Sequence, residues 1–313
     1  MRPSLASFTV VAAWVLVAVG STWNDAHAQA WVGDKGGLEL SLDYNLGISD
    51  KVIQDKGADL VDAGTTTHQF TVGAEYVPVD RLAVTLALPF GLFQYTGNKT
   101  AYPHPGGGSY DDGSTHATLT DLRVGARYQV LEEPIALSPH IAVSIPLADY
   151  ETVGNTVAGR HLKALHLGLG IGHVFLESAY VHALYEFSLV EKYDRTAVTE
   201  KIGQNRSDFA VTLGYKLLEQ KLDVHLDGNG RVAHGGVGFS EINFMAPQSD
   251  PEMFDIANFH DPLLAESIFL VGGGVGYQIS NALGVSLSGR LFVAGSNTQN
   301  ASVLALGVTW SPL

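Results

Sequence analysis

The amino-acid sequence predicts an all-β protein, an antiparallel transmembrane β-barrel of about 12 strands that is preceded by a cleaved signal peptide. Three observations support this fold class. Apolar and polar residues alternate over most of the chain, short turns alternate with long polar loops, and the amino terminus has the composition of an export signal. In such a barrel one face of each strand meets lipid and the other meets a polar lumen, so side chains change character at every second position.

The clearest alternation lies at residues 120–130. In an extended strand Leu122 and Val124 point to one face, whereas Arg123 and Arg127 point to the other. A secreted β-sandwich would also have alternating strands, but its strands are commonly about half as long and its loops are not sorted into short and long sets. The sequence therefore favours the barrel.

Residues 1–28 have the composition of a secretory signal peptide. A charged start is followed by a mostly apolar run at residues 5–20 and then by small residues. Cleavage is expected after Ala28, with Ala30 as the second choice. The apolar run of about 16 residues is shorter than the span of about 20 that a membrane anchor needs. The domains are therefore predicted as a signal peptide at 1–28 and an outer-membrane β-barrel at 29–313.

Composition restricts the function. The chain has no cysteine and a formal net charge of −14 at pH 7. The absence of cysteine excludes disulfides, thiol catalysis and cysteine metal sites. The negative charge argues against nucleic acid as a partner. An acidic surface with long loops suits the bacterial outer membrane, so the expected partners are outer-membrane lipid and lipopolysaccharide.

About twelve strands are expected from the alternation. They lie at residues 37–45, 68–76, 81–90, 120–130, 135–146, 162–172, 179–190, 207–216, 221–232, 265–279, 283–294 and 303–310. Long polar loops are expected at residues 47–66, 94–116, 147–160, 191–206 and 235–264, with a further loop at 297–300. An even strand number places both termini on the side of the short turns, and closure leaves no unpaired edge in lipid.

The last expected strand, residues 303–310, resembles the carboxy-terminal insertion signal of outer-membrane proteins. It is amphipathic and ends at Trp310. In that signal the final residue is usually aromatic, whereas here Ser311, Pro312 and Leu313 follow. Aromatic residues near the other strand ends are expected to form girdles at the two membrane interfaces.

Polar and charged side chains are expected to line the lumen. The candidates for contact with a solute are Asp121, Arg123, Arg127, His166, His182, Glu186, Asp223, His225, Asp227, Arg231 and Arg290. The same inward face includes Glu39, Asp43, Glu75, Asp208 and Asn229. Since both signs of charge are present, most of these groups are expected to form ion pairs and hydrogen bonds that fill the barrel.

Two kinds of chemistry have weak support. His166, His182 and His225 lie on separate expected strands, and their spacing fixes no coordination geometry. Residues 225–231 faintly resemble the His-x-Ser-Asn-Gly-Arg motif of outer-membrane phospholipases, but the serine nucleophile is absent. We therefore expect no metal, no cofactor and no enzymatic activity.

Glycines recur inside two expected strands, at residues 168–172 and 272–276. No helix follows either run, so neither predicts a phosphate-binding loop. Strand glycines more often mark a bend or a close approach of the backbone. Their missing side chains are also expected to enlarge the lumen locally.

The hairpin at residues 120–146 is similar to a known family. Its first strand reads Thr-Asp-Leu-Arg-Val-Gly-Ala-Arg-Tyr at 120–128, and its second reads Ser-Pro-His-Ile-Ala-Val-Ser-Ile-Pro at 138–146. This pattern resembles the outer-membrane proteins named for the meta-cleavage pathway of phenol degradation, in which the second strand closes with Leu-Pro. Here Ile145 replaces that leucine. The resemblance implies a barrel linked to the passage of aromatic or other hydrophobic small molecules, and it supplies no catalytic residues.

The expected function is therefore an outer-membrane channel or uptake protein for small hydrophobic or aromatic solutes, which pass by diffusion. The alternative is a structural or adhesive barrel with a sealed lumen. A lumen fully crossed by ion pairs, with the interactions carried by the loops at 94–116 and 235–264, would favour that alternative. An outer-membrane phospholipase is the weakest of the three.

Overall fold

The computed structural model describes residues 30–57, 59–97, 110–194 and 201–312. The predicted signal peptide at 1–28 lies outside these ranges. Among the described residues, three short helical segments accompany a single antiparallel β-sheet. None of the described helices has both the length and the apolar character needed to cross a membrane.

The described part of the chain contains 14 strands. They are β1 (Leu38–Ile53), β2 (Leu60–Val79), β3 (Leu82–Tyr95), β4 (Thr115–Leu119), β5 (Asp121–Tyr128), β6 (Ala136–Pro146), β7 (Ala164–Phe175), β8 (Ala179–Val190), β9 (Asn205–Leu217), β10 (Leu222–His234), β11 (Ser267–Gln278), β12 (Leu283–Ser296), β13 (Thr298–Gln299) and β14 (Ser302–Trp310).

The sheet closes on itself, because β1 pairs with both β2 and β14. β4 and β5 together form one barrel strand that is interrupted at Thr120, and β13 and β14 together form another. The structure is therefore a closed antiparallel barrel of 12 strands. This confirms the predicted all-β antiparallel barrel of about 12 strands.

Apolar side chains cover the outer face of the barrel. Val72, Leu226 and Leu291 are 56%, 68% and 54% exposed. Such exposure on every wall of the barrel is favourable only where the surrounding medium is lipid. Aromatic side chains on the same face are Phe70, Tyr76, Phe90, Tyr128, Tyr185, Tyr215, Tyr277 and Trp310. They are suited to the interfacial girdles of a membrane barrel.

The two ends of the barrel differ in their connections. Short turns lie at residues 80–81, 129–135, 176–178, 218–221 and 279–282. These turns are tight, and the backbone φ angle is positive at Arg81 (68°) and at Glu177 (60°). In bacterial barrels the short turns and both termini face the periplasm, and the long loops face outward. These ends are accordingly termed periplasmic and extracellular.

The strands at the extracellular end are longer than the sequence predicts. β1 continues to Ile53 and β2 begins at Leu60, so the loop expected at 47–66 is reduced to 54–59. The loop expected at 297–300 is likewise shorter than expected, because β13 takes up 298–299 and Asn297 alone joins it to β12. Strand pairing rests on backbone hydrogen bonds and continues where there is no lipid, whereas the apolar alternation used for prediction stops there.

The connection between β10 and β11 is folded. It contains a 3-10 helix, Phe239–Glu241, and two helices, α1 (Pro251–Asn258) and α2 (His260–Leu263). The Asp250 carboxylate caps α1 by accepting a bond from the backbone N–H of Met253 at 3.3 Å. The residues expected as the longest loop thus form an ordered part of the extracellular end.

An apolar cluster, here termed the lid core, lies across the extracellular mouth. It consists of Val52, Ala63, Leu162, Tyr193, Phe239, Ile242, Ile256, Ala257, Leu263 and Leu264. Val190 also packs against it. Because Val52 in β1 and Val190 in β8 stand on opposite walls of the barrel, the lid core bridges the mouth.

Candidate functional site

The lumen contains the side chains that were selected from the sequence. Those of Arg127, His166, His182, Glu186, Asp223, His225, Asp227, Arg231 and Arg290 are buried, and those of Asp121 and Arg123 are partly exposed. All lie on strand faces opposite to the lipid-facing residues. Their burial results from the barrel wall and from the contacts that they make with one another.

One network converges on the carboxylate of Glu186 in β8. Arg123 Nη1 donates to Glu186 Oε1 at 3.1 Å, and His140 Nε2 lies 2.7 Å from Oε2. His166 Nδ1 lies 3.1 Å from Oε1. The three partners belong to β5, β6 and β7, so groups from four barrel strands meet at one buried carboxylate. This network fixes the wall of the lumen.

Three further ion pairs lie in the described part of the lumen. They join Arg127 to Glu75 at 2.7 Å, Arg231 to Asp208 at 2.6 Å, and Arg290 to Asp227 at 2.5 Å. A separate contact places His225 Nδ1 2.9 Å from the Asp223 carboxylate. Most of the candidate charges are thus paired within the protein, as the sequence analysis expects for a filled barrel.

Inward-facing glycines make room for two of these contacts. Gly168 in β7 lies between His140 and Glu186 in the strand register, and a Cβ there would come within 2.2 Å of the His140 ring. Gly272 in β11 lies in the same way between Asp227 and Arg290. A side chain at either glycine would block the bond that passes over it. The expected local enlargement of the lumen is therefore wrong at these positions, because neighbouring side chains fill the space.

A short amino-terminal segment enters the periplasmic end. Ala30 is fully buried, and its carbonyl accepts a 2.7 Å hydrogen bond from Ser138 Oγ on the inward face of β6. The backbone N–H of Val32 donates to Gln129 Oε1 at 2.8 Å. The Trp31 ring packs on Gly172, where an added Cβ would lie 2.3 Å from it. This segment occupies the inner wall at its periplasmic rim, beside a vestibule of about 730 Å³.

Asn155 ties several loops together at the extracellular mouth. Its backbone N–H and Nδ2 donate to Asp111 at 2.7 and 2.9 Å. Its Oδ1 lies 3.2 Å from His260 Nε2, and its carbonyl accepts a 3.1 Å bond from Gln299. The loops after β3, β6 and β10 and the strand β13 therefore meet at one residue. Together with the lid core, these contacts close the mouth.

A cavity of about 110 Å³ lies between the lid core and the lumen. The apolar part of its lining is Val52, Val157, Leu162, Val190, Phe239 and Leu264. The charged part is Asp121, Arg160, Arg206, Asp261 and Glu266. Cavities of roughly 150 Å³ hold a benzene molecule. This cavity is smaller than that, and its lining is both apolar and charged.

Three arginines lie close together at this cavity and just below it. Arg160 Nη2 donates to Glu266 at 3.1 Å, and Arg231 Nε donates to Asp208 at 2.6 Å. Arg206 differs from both. Among the described residues it has no carboxylate at ion-pair distance, and its Nε is buried without an acceptor.

An exposed cluster of Asp112, Ser114 and His116 has the residue types of a catalytic triad. Ser114 Oγ and Asp112 Oδ1 both lie beside His116 Nε2, at 3.0 and 2.9 Å. A triad needs the serine and the acid on different ring nitrogens, so that the imidazole can be oriented by one and accept a proton from the other. This arrangement therefore does not activate the serine. Within the described ranges, no group of three or more His, Cys, Asp or Glu is placed to hold a metal.

Sequence reasoning missed three participants. His140 has the parity of Ser138 and Ala142, so the alternation itself could have placed it in the lumen. Arg206 falls within the predicted loop at 191–206, and only the longer strand β9 turns it towards the cavity. Trp31 carries no local signal, because the segment around it is too short to have a periodicity.

Comparison with solved structures supports the fold. An outer-membrane channel from Pseudomonas putida F1 is 13% identical, with 91% of this chain and 98% of that chain covered and a TM-score of 0.70. The β domain of the Bordetella autotransporter Brka is 13% identical, with 89% and 100% covered and a TM-score of 0.50. No protein-family pattern and no curated protein matches the sequence. The chain thus has the fold of bacterial outer-membrane β-barrels.

Proposed function

We propose that this outer-membrane barrel is a passive channel for small hydrophobic or aromatic solutes, and that the described conformation is its closed state. The observation that carries the proposal is the cavity of about 110 Å³ beneath the lid core. It lies where a solute entering from outside would first meet the lumen, and its apolar wall suits the ring of a small solute that enters as the lid opens. The resemblance of the hairpin at 120–146 to the meta-cleavage family supports the same solute class.

Opening would require movement at both ends of the barrel. The lid is held by apolar packing and hydrogen bonds, and the chain has no cysteine to cross-link it. Such loop assemblies open at a fraction of the free energy needed to unfold the whole protein. The segment around Trp31 is held by a few contacts to Ser138, Gln129 and Gly172. Both closures are therefore suited to act as gates, while the paired lumen between them keeps its shape.

The polar side chains of the lumen and the cavity fall into two groups under this proposal. The paired residues, such as Arg123 and Arg127, set the bore of the lumen, and Arg206 and Asp121 contact a solute in the cavity. Neither the apolar cavity nor the exposed Ser114 cluster provides an activated nucleophile, so we propose a transport role and no enzymatic one. We also propose that the extracellular loops contact lipopolysaccharide.

Single-channel conductance of the refolded protein tests the channel. In a planar bilayer we expect rare openings for the wild type, because both ends are covered. Replacement of residues 239–263 by a short Gly/Ser linker, combined with Trp31→Gly, should raise the open fraction at least tenfold. Addition of benzyl alcohol should reduce the current that flows during the openings of the wild-type protein. The exposed substitution Glu219→Gln at the periplasmic turn 218–221 is the control and should leave the current unchanged.

A sealed structural barrel is the second candidate. The four ion pairs along the wall of the described lumen favour it, because they leave charged groups engaged with one another. If the doubly altered protein folds but carries no current at any voltage, the passive channel is wrong. The sealed barrel would then be the better account.

A further inference from the structure

Arg206 is the exception among the charged groups at the extracellular end of the lumen. Arg160 and Arg231 contact Glu266 and Asp208, whereas the guanidinium of Arg206 makes no hydrogen bond to any described residue. A guanidinium has five N–H donors and stays charged in proteins. Enclosing it without an acceptor is unfavourable, and an anion that reaches it gains a charge-assisted bond.

The acidic groups near Arg206 either bond to other side chains or carry less negative charge than usual. The Asp121 carboxylate accepts a 2.6 Å bond from the hydroxyl of Tyr150 and acts on Arg206 only through space. Glu266 is shared between Arg160 and the hydroxyl of Thr298. Neither carboxylate therefore bonds Arg206.

Asp261 is the remaining acid at the cavity. Burial, together with Asp111 and Glu266, raises the pKa of Asp261 well above its ordinary value, against the effect of Arg160. This reduces its negative charge. The acids around the cavity thus leave the donors of Arg206 available to a ligand.

The rest of the cavity wall restricts the kind of anion. Val157, Leu162 and Phe239 form an apolar surface on the lid side. A strongly hydrated dianion such as phosphate would lose its water against these side chains without replacement. A monoanion with an apolar body would place its charge at Arg206 and its body against this surface.

From this arrangement we infer that the cavity binds small organic monocarboxylates with an apolar or aromatic body, and that Arg206 recognises the carboxylate. The inference rests on the proposed channel function and narrows its solute class from hydrophobic molecules in general to amphiphilic acids. Arg206 then acts as a selectivity residue at the extracellular entrance.

Calorimetric titration of the refolded full-length mature protein tests this inference. The probes are benzoate, benzyl alcohol and inorganic phosphate. We expect benzoate to bind at least tenfold more tightly than benzyl alcohol or phosphate. Arg206→Met should weaken benzoate binding at least tenfold and leave benzyl alcohol unchanged. Arg206→Lys should retain part of the benzoate affinity, because it keeps the charge and loses the planar fork.

Two variants keep the test decisive. Lys163→Met removes a cation whose side chain is 68% exposed near the extracellular end, and it should leave benzoate binding unchanged. Asp121→Asn removes the acid that faces Arg206, and it should tighten benzoate binding. If Arg206→Met does not fold, as judged by heat-modifiable migration in gels, the Asp121→Asn result decides, and unchanged or weaker binding overturns the inference.

The other results are equally informative. Equal binding of benzoate and benzyl alcohol, phosphate binding as tight as benzoate, or an unaffected Arg206→Met variant would each overturn the inference. If benzyl alcohol blocks the channel current but benzoate binds no more tightly than benzyl alcohol, the inference about the solute class fails and the proposed channel stands. If the channel carries no current in any form, the proposed function itself fails.

Discussion

The middle of the lumen and the cavity beneath the lid differ in whether their buried charges are paired. At Glu186, three donors from three neighbouring strands satisfy one carboxylate. At the cavity, Arg206 is enclosed among Arg160, Arg231 and their partners without an acceptor of its own. Removal of a paired charge destabilises the fold, because its partners are left buried without a counter-charge. An unpaired charge contributes little to the fold and is available to a ligand.

The largest effect should come from breaking the paired region. Glu186→Gln removes the negative charge shared by Arg123, His140 and His166 and replaces one acceptor oxygen by an amide donor. Loss of one member of a buried pair costs about 3–5 kcal/mol, and we expect the lower end because Arg123 remains 29% exposed. Urea unfolding of the protein in lipid vesicles measures this change.

An exposed ion pair provides the control for that measurement. Glu132 and Arg81 lie 2.8 Å apart at a periplasmic turn, with side chains 52% and 47% exposed. Glu132→Gln should therefore change the free energy of unfolding by less than about 1 kcal/mol. If both variants unfold at the same urea concentration as the wild type, the Glu186 network does not hold the wall together.

A smaller effect should appear in the pH dependence of the lid. Because the pKa of Asp261 is raised in the folded lid, the closed state binds more protons than the open state between the ordinary aspartate pKa and the raised one. Closure should therefore weaken as the pH rises through this window. Asp261→Asn should remove the dependence, as measured by protease cleavage within residues 235–264.

His260 is a titratable neighbour of Asp261, with its Nε2 3.4 Å from Asp261 Oδ1. Protonation of Asp261 stabilises the closed lid, so cleavage should slow as the pH falls through this window. Asp111, Glu266 and Arg160 also face Asp261. Cleavage that becomes faster at acidic pH would contradict the assignment to Asp261.

The smallest effect on stability should come from the unpaired region. Arg206→Met removes a cation that has no acceptor, so the free energy of unfolding should change by no more than about 0.5 kcal/mol or increase. Arg231→Met should instead lose about 3 kcal/mol or more, because Asp208 is left buried and unpaired. The comparison fails if the two variants lose equal stability in the same urea titration.

The faces of the strands could be predicted from the sequence, because side-chain alternation is a local property. Leu122 and Val124 point outward and Arg123 points inward whatever the neighbouring strands are. The partner of Arg123 could not be predicted in the same way. Its contact with Glu186 depends on the registers of β5 to β8 and on the space above Gly168. Register is set by the whole barrel, and one sequence does not report it.

The closures of the barrel were the least predictable parts. Helix α1 has only eight residues, too few to show a helical period among polar neighbours. The Gly/Pro-rich loop expected at 94–116 falls largely outside the described residues, apart from 94–97 and 110–116. Trp31 acts through a single ring placed on Gly172, and such a contact leaves no pattern along the chain.

The lid core also bears on how the protein is assembled. Its members come from β1, from β2 and from the chain preceding β7, β9 and β11, and β1 is paired on both sides only when β14 at the end of the chain joins it. Contacts between such distant segments form late, after the intervening sheet. A folded lid would thus be a signature of finished insertion. Proteolysis of this segment during refolding could time the moment at which the first and last strands meet.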